Sequence, residues 1–172
     1  MIIGAYGRFW EESLVDWSTP TGWRLLGRRG LNTGTIEVAD FRYARGVYVL
    51  YNNVGAHYVG LTSAESGLGQ RIKQHRGDHL AGNWTRFSWF SFDFPSDAPE
   101  ADGIHGIDQY GSIDETESKV VIRDLEALLI AAIDPAANVQ RTKFHAAGDE
   151  WIQVATRRPE IRTLDSLKGR LV

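Results

Sequence analysis

The run from residue 46 to residue 92 confines the chain more than any other part of the sequence. Its hydrophobic pattern passes from strand to helix and back within one turn-punctuated stretch. Gly46-Val47-Tyr48-Val49-Leu50-Tyr51 has the β-branched and aromatic content that fits a pleated surface. Asn52, Asn53 and Gly55 supply turn residues, and His57-Tyr58-Val59-Gly60-Leu61 resumes the strand pattern, so the two segments predict a β-hairpin. In the following GLGQRIKQHRGDHLAG, Leu68 and Ile72 sit one helical turn apart, with Arg71, His75 and His79 on a neighbouring stripe and Gly82 as the expected stop. The aromatic run TRFSWFSFDF then predicts a third strand, ended by Pro95.

A second helix is written farther on. From Lys119 to Ile133 the apolar residues Val121, Ile122, Leu125, Leu128, Leu129 and Ile133 recur at three- and four-residue spacing, Ser118 is an acceptable N-cap, and Asp134-Pro135 stops the pattern. Residues 93–117, between the third strand and this helix, hold eight acidic residues and no Lys or Arg. Their Pro, Gly and Ser content predicts a long loop. This acidic insertion explains the net charge of −3: without its eight acids, 14 acidic residues face 19 basic ones, and the remaining body is modestly basic. Such a body is compatible with phosphate binding without demanding it.

Residues 1–45 read as an N-terminal extension, in which Trp10, Trp17 and Trp23 precede Arg24, Arg28 and Arg29, and Thr35 to Val38 alternates as a short strand. Its tryptophans offer a surface for a protein partner. Residues 139–172 form a weakly specified C-terminal extension. The length of 172 residues suits one ordinary domain. With no cysteine there is neither a disulfide framework nor a thiolate metal site, and no signal-peptide pattern or membrane span is read, so a cytoplasmic protein is expected. Gly67-Leu68-Gly69 lacks the lysine and spacing of a triphosphate loop, so no ATP requirement is expected.

Gly46-Val47-Tyr48, then Tyr58-Val59-Gly60, then Arg71 and His75 in GLGQRIKQH, then Glu126 in LEALLIAAI, then Asn138 after Pro135 resemble in that order the motif pattern of the GIY-YIG nucleases. The resemblance spans residues 46–138, interrupted by the acidic insertion 93–117. It implies an α/β (α+β) architecture with a small central, mostly antiparallel three-stranded sheet flanked by helices. Tyr48, Tyr58, Arg71, His75 and Glu126 are expected to converge on one concave surface.

The activity it implies is metal-dependent hydrolysis of phosphodiester bonds in nucleic acid, as a DNA endonuclease in the first instance. Tyr48 would accept a proton from the attacking water, Arg71 would clamp the phosphate, Tyr58 would orient phosphate or water, and His75 would reach an attacking or leaving oxygen. Glu126, read as lying on or beside an inward apolar face with Ile122, Leu129, Ile130 and Ile133, would hold Mg2+ or Mn2+, since a single carboxylate completed by water and phosphate suits those ions. Thr62, Lys73, Arg76 and His79 are expected to contact substrate, and Gly46, Gly60 and Asn138 to support the site. Two other readings stand beside this one: a catalytically inactive nucleic-acid-binding module on the same fold, and a protein-interaction domain using the tryptophans and the acidic segment.

Overall fold

The computed structural model describes residues 3–18, 22–30, 33–62, 66–109, 118–133, 144 and 149–156. Strands dominate them. β1 (Ala5–Glu11), β6 (Arg86–Ser91), β4 (Gly46–Tyr51) and β5 (Ala56–Thr62) form an antiparallel sheet in that spatial order. β7 (Phe94–Pro99), β8 (His105–Asp108), β3 (Glu37–Asp40), β2 (Leu26–Arg29) and β9 (Ile152–Gln153) form a five-stranded mixed sheet, whose one parallel pair joins β3 to β8. Two helices accompany them, α1 (Gly67–Gln74) and α2 (Ser118–Ile133).

The expected three-stranded sheet flanked by helices is therefore incorrect: the described residues are mostly β, in two sheets of four and five strands accompanied by two α-helices. The predicted hairpin, helix and third strand are present as β4, β5, α1 and β6. What the local pattern could not supply is β1, which pairs with the far side of β6, and a whole second sheet assembled from segments on both sides of residues 46–92. Such non-local pairing leaves no periodicity in any single window.

Strand alternation divides the four-stranded sheet into two faces. Tyr48 and Leu50 pair with Trp89 and Phe87, and these four belong to a large buried cluster shared with Leu68 and Ile72 of α1, Ala39 of β3, Phe41 and Trp151. Trp10, Trp17 and Trp23 are buried in the same cluster, so the side chains expected to offer a partner surface fill the core instead. Aromatic rings are the most apolar area available per residue, and Trp10 also donates its indole N–H to the Trp151 carbonyl at 3.1 Å. Val49, Tyr51 and Phe90 point the other way and form a separate cluster with Ala127 and Ala132 of α2.

The acidic segment is likewise not one long loop. Residues 94–99 and 105–108 are the paired strands β7 and β8. Asp93, at their entrance, is wholly buried: its carboxylate accepts from the Arg45 backbone N–H at 2.8 Å and from the Arg45 guanidinium at 2.6 Å. Asp102 pairs with Arg24 at 2.6 Å. Part of the local negative charge is thus structural, because a buried carboxylate needs such partners to offset its desolvation.

Candidate functional site

β4 turns Tyr48 onto the face where α1 lies, and its register sets Tyr48 opposite Gly60 of β5 and Trp89 of β6. The phenol ring crosses the sheet over Gly60. A Cβ at that position would collide with the Tyr48 hydroxyl and ring, so the glycine is required by the close approach. A Cβ at Gly46 would run into the Phe90 carbonyl in the same way. α1 covers this face by burying Leu68 and Ile72 completely, and it ends at Gln74. His75, the first residue past the helix, is brought down onto the sheet with only 2% exposure.

There the Tyr48 hydroxyl lies 2.7 Å from His75 Nε2, and His75 Nδ1 lies 2.7 Å from Asp78 Oδ2. Asp78 Oδ1 accepts the Leu80 N–H at 2.8 Å, which fixes the turn that presents the carboxylate. Tyr58, on the neighbouring strand, meets the imidazole edge to face at 5.0 Å and lies 6.2 Å from the Tyr48 ring. Burial pushes the Tyr48 hydroxyl up to about 12, and Tyr58 adds to the rise while Arg71 opposes it. The Leu80 N–H holds the Asp78 carboxyl below its ordinary range, against a small desolvation cost and with help from His75.

Four of the five expected catalytic residues therefore meet at one place: Tyr48, Tyr58, His75 and, within electrostatic reach of the phenol, Arg71. Arg71 is exposed and donates to the neutral side chain of Gln74 at 2.8 Å, and among the described residues no carboxylate pairs with it. Glu126 is carried by α2, and its side chain lies outside what is described. Two of the apolar neighbours expected to face inward beside it, Leu129 and Ile133, are instead 56% and 62% exposed, while Ala127 and Ala132 face the sheet. They face its Val49, Tyr51 and Phe90 side, opposite Tyr48. Among the described residues no group of three or more His, Asp or Glu could hold a metal ion. Among the described residues, those beside Tyr48 do not make a cradle for magnesium or manganese.

Of the expected substrate contacts, Thr62 is buried. Lys73 places its ammonium over the Trp23 ring at 4.8 Å, and Arg76 is tied to Glu12 at 2.5 Å with its guanidinium over Trp17. His79 is exposed and lies beyond the end of α1, so it does not continue the Arg71 and His75 stripe. Asn138 falls outside the described residues. Asp78 is the participant that the sequence pattern missed. Its only local signal is a carboxylate three residues after His75 with Gly77 between, a spacing that means little until the helix is known to stop at residue 74.

Comparison with known proteins returned no matching family model, no matching curated protein and no matching solved structure.

Proposed function

We propose that this protein hydrolyses phosphodiester bonds in nucleic acid, with DNA as its first substrate class and with Tyr48, Tyr58, His75 and Arg71 as the working residues. The observation that supports the reading is the meeting of two phenols, an imidazole and a guanidinium that pairs with no carboxylate among the described residues. Those groups divide the task. A guanidinium can grip a phosphate through two parallel N–H bonds and stabilise the charge that grows on it. The phenols and imidazole can take the proton that an attacking water must lose.

The test is cleavage of supercoiled plasmid, branched DNA and RNA by the purified chain, with and without magnesium. Nicking that Arg71→Ala abolishes supports the reading, and no cleavage of any substrate in either condition rejects it. One observation favours a second reading, a binding module without turnover on the same scaffold: Tyr48 is 0% exposed, as a purely structural tyrosine would be. Under that reading the wild type retains nucleic acid in a gel-shift assay and never cleaves it.

A further inference from the structure

His75 has both ring nitrogens engaged with oxygen atoms, and the two partners are not equivalent. Asp78, kept ionised by the Leu80 N–H, can only accept, so the proton of a neutral imidazole resides on Nδ1. Nε2 then offers a lone pair, and the Tyr48 hydroxyl must donate to it. With its only hydrogen committed, the Tyr48 oxygen keeps its lone pairs free to accept, and the Tyr58 ring lies beside it on the adjacent strand, 6.2 Å between ring centres. From Tyr48 through His75 to Asp78 the donors point the same way. Tyr48 has no solvent exposure, whereas Tyr58 is half-buried on β5, the edge strand of its sheet.

We propose that Asp78 is a positioning residue that fixes the tautomer of His75, and that Tyr58, Tyr48 and His75 form a one-directional proton wire whose solvent end, Tyr58, meets the attacking water. The inference rests on the phosphodiester-hydrolysis reading given above, and it exchanges the roles that the resemblance assigns to the two tyrosines. In the step, the water oxygen bonds to phosphorus as the bond from phosphorus to the leaving oxygen breaks. One water proton passes to the Tyr58 oxygen, the Tyr58 proton to Tyr48, and the Tyr48 proton to His75 Nε2. The resulting imidazolium is paired with the Asp78 carboxylate, the leaving oxygen takes a proton from solvent, and His75 returns its proton by the same path. No phenolate has to form, which removes the obstacle that burial raises against ionising Tyr48.

Asp78→Asn tests the wire, because asparagine keeps the oxygen that accepts the Leu80 N–H while losing the charge that holds the tautomer. Nitrogen-15 NMR of His75 reads the tautomer, and kcat and KM on a cleaved substrate are measured against pH alongside. Among the described residues, the charged and titratable groups around the site during that titration are Tyr48, Tyr58, Arg71, Asp78 and His79. The expected result is an Nδ1–H imidazole in the wild type and a kcat about 100-fold lower in Asp78→Asn with KM unchanged. Asp78→Glu should recover part of the loss, and Tyr58→Phe should lose at least as much as Asp78→Asn. An Nε2–H imidazole in the wild type overturns the wire, as does full turnover by Asp78→Asn or by Tyr58→Phe. Either of those results, obtained with an active wild type, leaves phosphodiester hydrolysis standing; a wild type that cleaves nothing rejects that reading and the wire together.

Discussion

The two faces of the four-stranded sheet are made by alternate residues of the same strands, and they are finished in different ways. On one face Tyr48, Leu50, Phe87 and Trp89 lie under α1, and a chain of polar groups from Tyr48 through His75 to Asp78 is set into an otherwise apolar core. On the other, Val49, Tyr51 and Phe90 meet the alanines of α2, and the Tyr51 hydroxyl donates to the Ala132 carbonyl at 2.6 Å. That carbonyl is in the last turn of α2, where main-chain acceptors have no partner within the helix. The second phenol completes a helix end, as packing alone would require. The first is engaged by a titratable side chain whose other nitrogen is itself oriented, an arrangement that packing does not call for. Buried polar groups need partners in either case, but the Tyr48 face links several polar side chains in one hydrogen-bonded series.

The largest effect that would sharpen this contrast is on turnover. Arg71→Ala should lower cleavage by roughly 100- to 1,000-fold, the scale of losing one preorganised charge at a phosphate. Its thermal midpoint should stay near that of the wild type, since Arg71 is exposed. Equal cleavage by this variant would reduce the Tyr48 face to a structural one.

Next comes the comparison of two hydroxyl deletions by urea denaturation. Tyr48→Phe leaves His75 Nε2 buried without a donor and should cost about 1–3 kcal/mol, whereas Tyr51→Phe frees a helix-end carbonyl and should cost about 1 kcal/mol or less. Equal losses would erase the distinction between the faces.

Alkaline stability gives a further test. Because the folded-state value of Tyr48 is raised from 10.0 to about 12, its contribution is fully present below the unfolded value and is lost as pH rises through the folded one. The stability advantage of the wild type over Tyr48→Phe should therefore shrink by roughly 2 kcal/mol between pH 10 and pH 12, measured by urea titration at each pH. An advantage that stays constant over that window would mean that Tyr48 ionises as readily folded as unfolded.

The smallest expected effect is that of Glu126→Gln. With α2 packed against the Tyr51 side, cleavage should change by less than about threefold. A loss comparable to that of Arg71→Ala would join the two faces in one site and restore a carboxylate ligand to the mechanism.

The sequence by itself determined the parts whose physics is local. The alternation in residues 46–62, the one-turn pair Leu68 and Ile72, and the aromatic run 86–91 each specify an element without outside help, and they were legible for that reason. They also carried Tyr48, Tyr58, Arg71 and His75 to their meeting place, because a hairpin followed by a short helix has few ways to fold back on itself. Tertiary structure alone decided the rest. Whether Trp10, Trp17 and Trp23 face a partner or a core depends on β1 finding β6, from Glu11 opposite Arg86 to Ala5 opposite Ser91, 75–86 residues away in sequence, a pairing that no window records. The helical period of residues 119–133 shows that an apolar stripe exists, but the contacts of Ala127 and Ala132 with the Tyr51 side choose the buried face and leave Leu129 and Ile133 outside. Asp78 depends on where α1 stops: in a longer helix its carboxylate would ride on the surface, and only the turn closed by the Leu80 N–H brings it to His75.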